Sequence, residues 1–89
     1  MPRIEFTPQL AAHIECPAES VDAETLREAL ETVFERNPRA RSYVLNDQGA
    51  VRKHVAIFIN SQMLQDRENL DVRLMENSEV YVMQALSGG

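Results

Sequence analysis

At 89 residues the chain can enclose one hydrophobic core and not a second, which argues against a large internal active-site cavity. Its 44% apolar and 26% charged residues suit a folding globular domain, while a net charge of −5 and a pI near 4.9 argue against nucleic-acid or anionic-membrane surfaces, which need clustered Lys and Arg. No run approaches the roughly 18 apolar residues of a spanning helix, and Met1-Pro2-Arg3-Ile4-Glu5 carries no signal-peptide hydrophobic stretch, so a cytoplasmic protein is expected.

From Arg3 to Ile14 short apolar stretches meet a turn signal at Thr7-Pro8-Gln9. This predicts a strand, a bend and a return strand carrying His13, Ile14 and Glu15. After Cys16-Pro17-Ala18-Glu19-Ser20, the segment from Ala23 to Asn37 places Leu26, Leu30, Val33 and Phe34 on one stripe at helical spacing. Asp22 is the expected N-cap; three residues past it stands Thr25 rather than Glu or Gln, so no capping box is expected there, and Glu24 opposes the helix dipole. Asn37-Pro38 ends the helix, because proline disfavours the α conformation in the residue before it.

The stretch from Arg39 to Lys53 is mostly polar apart from Tyr43-Val44-Leu45, read as a short strand, and contains the turn signal Asn46-Asp47-Gln48-Gly49. Its Arg39, Arg41, Arg52 and Lys53 are read as a solvated loop rather than a nucleic-acid site, given the surrounding acid. Val55-Ala56-Ile57-Phe58-Ile59-Asn60 is the clearest strand, with Val55, Ile57 and Ile59 on one face and Ala56 and Phe58 on the other. A charged excursion, Gln65-Asp66-Arg67-Glu68-Asn69, precedes Leu70-Asp71-Val72-Arg73-Leu74. Asn77-Ser78 then turns the chain into Glu79-Val80-Tyr81-Val82-Met83, where Val80 and Val82 oppose Tyr81 and Met83.

Hairpin, helix and later strands make an α+β domain with the helix packed across one sheet face. The expected division is a domain over residues 1–83 and a flexible tail over residues 84–89. Two of the three glycines are the last two residues, Gly88 and Gly89. Lacking Cβ atoms, they form a thin, permissive thread that can enter a narrow channel in another protein. The thread ends in a carboxylate, a poor acyl donor until a partner activates it, commonly by nucleotidyl transfer. A frayed tail is the plain alternative for an arbitrary protein.

The C-terminal third gives that tail a context. Val55 to Asn60, then Leu74-Met75-Glu76-Asn77-Ser78-Glu79-Val80-Tyr81-Val82, then Ala85-Leu86-Ser87-Gly88-Gly89 resembles the ThiS/MoaD family of ubiquitin-like sulfur carriers. The approach Gly49-Ala50-Val51-Arg52-Lys53-His54 is most similar to the branch that includes the carrier for cysteine biosynthesis. The resemblance implies a β-grasp fold. It also implies that an ATP-dependent activating enzyme adenylates Gly89, with Gly88 and Ser87 as the tail behind it, and that sulfur transfer makes a thiocarboxylate. The thiocarboxylate donates sulfide to a sulfur-accepting biosynthetic enzyme for cysteine, thiazole or another metabolite. Such a protein is a cosubstrate without catalytic residues, binds no cofactor of its own and leaves ATP to its partner. Two departures stand out: Glu76-Asn77-Ser78 replaces the family's Asp-Gly-Asp turn, and Gln84 and Ala85 replace prolines common before the tail. Asn tolerates the left-handed conformation that glycine would supply, so the turn is expected to be kept.

Phe58, Tyr81 and Met83 fall on the sheet face turned from the helix, where aromatic and Met side chains act as interface anchors; packing under the long polar connection is the other reading. Met83 matches a position at which family members often present a hydrophobic group to the activating enzyme. His13 and Cys16 make too small a set for a structural metal site. Cys16, the only cysteine, forms no internal disulfide, and no base is visible that would make it a nucleophile. A molybdopterin synthase small subunit and a ubiquitin-like modifier conjugated to lysine through Gly89 share the same terminal chemistry and stay open.

Overall fold

The computed structural model describes residues 1–7 and 18–84. In chain order its elements are β1 (Arg3–Phe6), β2 (Glu19–Ser20), α1 (Leu26–Arg36), α2 (Pro38–Val44), β3 (Val55–Ile59), β4 (Gln62–Met63) and β5 (Glu79–Gln84). The strands form one sheet in the order β2-β1-β5-β3-β4. Strand β1 runs parallel to β5, and the other pairs are antiparallel. The first and last strands thus share the middle of the sheet.

One face of that sheet holds the core. Ile4 and Phe6 of β1, Val55 and Ile57 of β3, and Val80 and Val82 of β5 cluster with Leu26, Ala29, Leu30, Val33 and Phe34 of α1. The two-residue period of the strands and the 3.6-residue period of the helix bring these side chains to a common layer. A mixed sheet crossed on one face by a helix is the β-grasp architecture. Of the apolar residues expected in this core, Ile59 alone is only half-buried, packed at its margin.

Helix α1 starts later than Asp22. Its N-cap is Thr25, whose Oγ1 accepts from Glu28 N at 3.2 Å, while Glu28 Oε1 accepts from Glu24 N at 2.9 Å. That pair works like a capping box, with the Glu reaching back to the residue before the cap. The preceding residues are held extended instead of helical: Leu26 N donates to Val72 O, Leu74 N donates to Glu24 O, and Thr25 bridges Arg73. This lacing uses backbone groups of the 70–74 segment and buries Leu70 and Leu74.

Asn37 does end α1, but Pro38 opens a second helix at once. Proline suits the first helical position, where its missing N–H has no helical partner to lose. Tyr43, Val44 and Leu45, expected as a strand, are the end and C-cap of α2, with Ala40 and Val44 facing the core. Arg41 of α2 pairs with Glu31 of α1 and lies 6.0 Å from the Phe34 ring centroid, tying the helices together. The turn at Asn46 to Gly49 forms as expected. Gly49 takes φ +82°, Asn46 Oδ1 accepts from Gln48 N and Ala50 N, and Leu45 bridges Val51.

The turn into β5 is also kept, by different means. Asn77 does not take a positive φ; Ser78 N donates to Met75 O at 3.1 Å and Met75 N donates to Ser78 Oγ at 2.8 Å, so the serine closes the turn from both ends. The return strand expected at His13, Ile14 and Glu15 lies outside the described residues. Within them, β2 pairs with β1, and Thr7 N still donates to Val82 O at 3.0 Å in continuation of β1.

Candidate functional site

The face turned from α1 is set by the register of β3 against β5. Phe58 stands opposite Tyr81 and Ala56 opposite Met83, so alternation along both strands brings Phe58, Tyr81 and Met83 to one side. Tyr81 is 38% exposed, and Phe58 and Met83 are half-buried. No helix covers this side among the described residues. The three side chains line a concavity of about 450 Å³.

Its other walls were not singled out in the sequence. Arg3 and Glu5 enter from β1, paired at 3.2 Å on the surface, and Glu79 enters from the start of β5. The signal for Arg3 and Glu5 was their alternation with Ile4 and Phe6, which becomes useful once β1 is known to lie beside β5. Asn60 and Ser61 complete the rim as the tight turn between β3 and β4, both at positive φ, 51° and 70°. Asn60 N donates to Glu79 O and Asn60 Oδ1 accepts from Glu79 N, each at 2.9 Å. The turn is thereby fastened to the strand carrying Tyr81 and Met83. The result is an apolar floor with a polar, mixed-charge rim, an arrangement typical of a protein-binding surface.

A second hollow, about 340 Å³, lies at the other end of β3 and is lined by Asn46, Val51, Arg52, Lys53 and His54. Arg52 Nε donates to Ser42 O at 2.7 Å, and Arg67 Nη1 donates to Arg52 O at 2.5 Å and to Val55 O at 2.7 Å. These bonds fix the backbone just ahead of β3. Lys53 and His54 are exposed. Because Val55 stands opposite Gln84, this hollow is at the end of the sheet from which the chain continues toward Gly89.

Ser87, Gly88 and Gly89 lie outside the described residues, as do His13 and Cys16. Among the described residues, no group of three His, Cys, Asp or Glu side chains is placed to hold a metal, and no helix is long and apolar enough to cross a membrane.

The model of the ThiS family matches residues 9–89. No curated protein matches the sequence significantly. Among solved structures, the chain is similar to the CysO-containing BexX/CysO complex of Amycolatopsis orientalis (TM-score 0.83, 12% identity, all of both chains covered). It is similar to CysO of Mycobacterium tuberculosis (TM-score 0.81, 13% identity, 97% of this chain and 100% of the other). It is also similar to SAMP1 of Haloferax volcanii (TM-score 0.76, 21% identity, 99% and 98%). At these identities the likeness is one of fold.

Proposed function

The chain belongs to the ThiS family, and from that premise we propose that it is a sulfur carrier whose Gly89 carboxylate is adenylated and converted to a thiocarboxylate. The observation that carries the reading is the family match, which runs through Gly88 and Gly89. In the proposed reaction a Gly89 carboxylate oxygen attacks the α-phosphate of ATP held by an activating enzyme, releasing pyrophosphate. A sulfur nucleophile then attacks the acyl carbon and displaces AMP. The thiocarboxylate passes its sulfur to a biosynthetic acceptor enzyme. ATP belongs to the partner's site, and the ATP requirement fits a cytoplasmic protein. This chain supplies presentation: a rigid sheet, a slim tail of Ser87, Gly88 and Gly89, and a docking surface of Phe58, Tyr81 and Met83. The similar CysO of A. orientalis occurs in a complex with BexX, which supports a docking role for one face of the fold.

Intact-mass measurement after incubation with ATP, the activating enzyme and a sulfide source tests the proposal. The expected product has one oxygen exchanged for sulfur at the C-terminus. Removing Gly89, or adding one residue after it, is expected to abolish loading without lowering thermal stability. A second reading draws on the similarity to SAMP1, a small archaeal modifier protein. If the terminus is never exchanged and becomes joined to lysines of other proteins, the chain is a modifier. Full loading of a variant lacking both glycines would overturn both readings.

A further inference from the structure

Strand pairing carries the open face one strand further than the cluster of Phe58, Tyr81 and Met83. Met63 of β4 stands opposite Phe58, Phe58 opposite Tyr81 and Tyr81 opposite Glu5. Paired residues project to the same side of a sheet, so Met63, Phe58, Tyr81 and Glu5 form one row across β4, β3, β5 and β1. Met83 stands opposite Ala56, one diagonal step from Phe58, about 7–8 Å away. Phe58 therefore has a methionine on each side, Met63 on the outer strand and Met83 on the inner one. Both reach solvent: Met63 is 48% exposed and Met83 is half-buried.

A thioether on such a face has a chemistry that its aromatic neighbours lack. Oxidation to the sulfoxide turns a flexible apolar side chain into a polar, chiral one. In the free protein the new oxygen faces water and costs the fold little. Under an apolar partner surface it loses that water without gaining a donor, and the burial of an unpaired polar group opposes association.

We propose that Met63 and Met83 form a reversible oxidation site that sets the affinity of this face for its partner. The proposal rests on the reading of the face as the docking surface for the activating enzyme. The oxidant is hydrogen peroxide. A sulfur lone pair attacks one peroxide oxygen, an S–O bond forms and the O–O bond breaks. The departing hydroxide takes the proton left on the new S–O group and leaves as water. Sulfur is oxidised by two electrons and the peroxide is reduced. A sulfoxide reductase working with a dithiol reverses the change: the oxygen leaves as water and two thiols become a disulfide. Because the partner covers the same two side chains, association shields them from the oxidant. Met75, 66% exposed in the turn before β5 and outside the concavity, is the internal control, since its oxidation leaves the face unchanged.

The test treats the wild-type protein with hydrogen peroxide and assigns each added oxygen by fragment-ion mapping. The expected product carries sulfoxides at Met63, Met83 and Met75 and keeps its thermal midpoint. Titration calorimetry against the organism's adenylating enzyme should then give a Kd raised roughly tenfold, returned to its starting value by a sulfoxide reductase with dithiothreitol. The double variant Met63→Leu/Met83→Leu, compared with itself before and after peroxide, is expected to show no change, although Met1, Met75 and Cys16 remain oxidisable. Resistance of Met63 and Met83 to peroxide while Met75 oxidises, unchanged binding by the sulfoxide form, an equal peroxide effect in the double variant, or a lost thermal midpoint would overturn the proposal. If Tyr81→Ser weakens association and the sulfoxides do not, the docking reading stands and this proposal alone fails; if neither weakens it, both fail.

Discussion

Strand β5 serves two surfaces with alternate residues. Val80 and Val82 are 2% and 0% exposed, whereas Tyr81 between them is 38% exposed. The same contrast runs along β3, where Ile57 is 1% exposed and Phe58, its neighbour, is half-buried. The valines and Ile57 face α1 and are held by folding; Tyr81, Phe58 and Met83 are free to be covered by something else. Backbone alternation alone separates stability from recognition here, within single strands. Substitutions one residue apart should therefore have opposite signatures.

The largest expected effect is on the covered face. Ile57→Ala is expected to cost about 2–5 kcal/mol of stability, a large share of the about 5–15 kcal/mol typical of a domain. Urea unfolding measures it, and the fraction that stays folded should load sulfur normally. On the open face, Tyr81→Ser, Phe58→Ser or Met83→Ser should weaken association with the activating enzyme by about 2 kcal/mol, or roughly thirtyfold in Kd. Tyr81→Ser, the most exposed of the three, should leave stability within about 0.5 kcal/mol of wild type. Unchanged binding by all three variants, measured by titration calorimetry, would remove the open face from recognition.

Smaller effects sharpen the comparison at its edges. Thr25→Ala removes the N-cap bond to Glu28 and should destabilise by about 1 kcal/mol, lowering the thermal midpoint without touching association. Ser61→Gly relieves a left-handed residue in the β3–β4 turn and should raise stability by less than about 1 kcal/mol, since glycine also adds freedom to the unfolded chain. Because Ser61 borders the open concavity, a loss of binding in this variant would show that the rim must be rigid.

Much of this arrangement was legible in the sequence, and the limits have physical causes. The helical stripe of Leu26, Leu30, Val33 and Phe34 and the strands around Ile57 and Val82 announce themselves because each is amphipathic at its own period. That periodicity also put Phe58, Tyr81 and Met83 on one side. Helix α2 was missed because Pro38 is read equally well as a stop and a start, and only the burial of Ala40 and Val44 decides between them. Strand β4 was missed because Gln62–Met63 is an exposed edge with no apolar pattern, and its turn uses Asn60-Ser61 in place of the more recognisable Asn-Gly. The N-cap was misplaced to Asp22 because the lacing of residues 24–26 to Val72 and Leu74 is a tertiary constraint. Arg3, Glu5 and Glu79 joined the candidate site only through the parallel pairing of β1 with β5, whose residues are 76 apart in the chain at Arg3 and Glu79.

That pairing also orders events at the ribosome. The middle strand of the sheet is the last to be synthesised, so β1 and β3 have no partner between them until β5 emerges, and long-range pairings of this kind form late and slowly. A nascent chain that stops before Glu79 leaves two apolar strand edges open and is expected to be recognised as misfolded. The sheet is thus completed only by the strand that leads directly into residues 85–89.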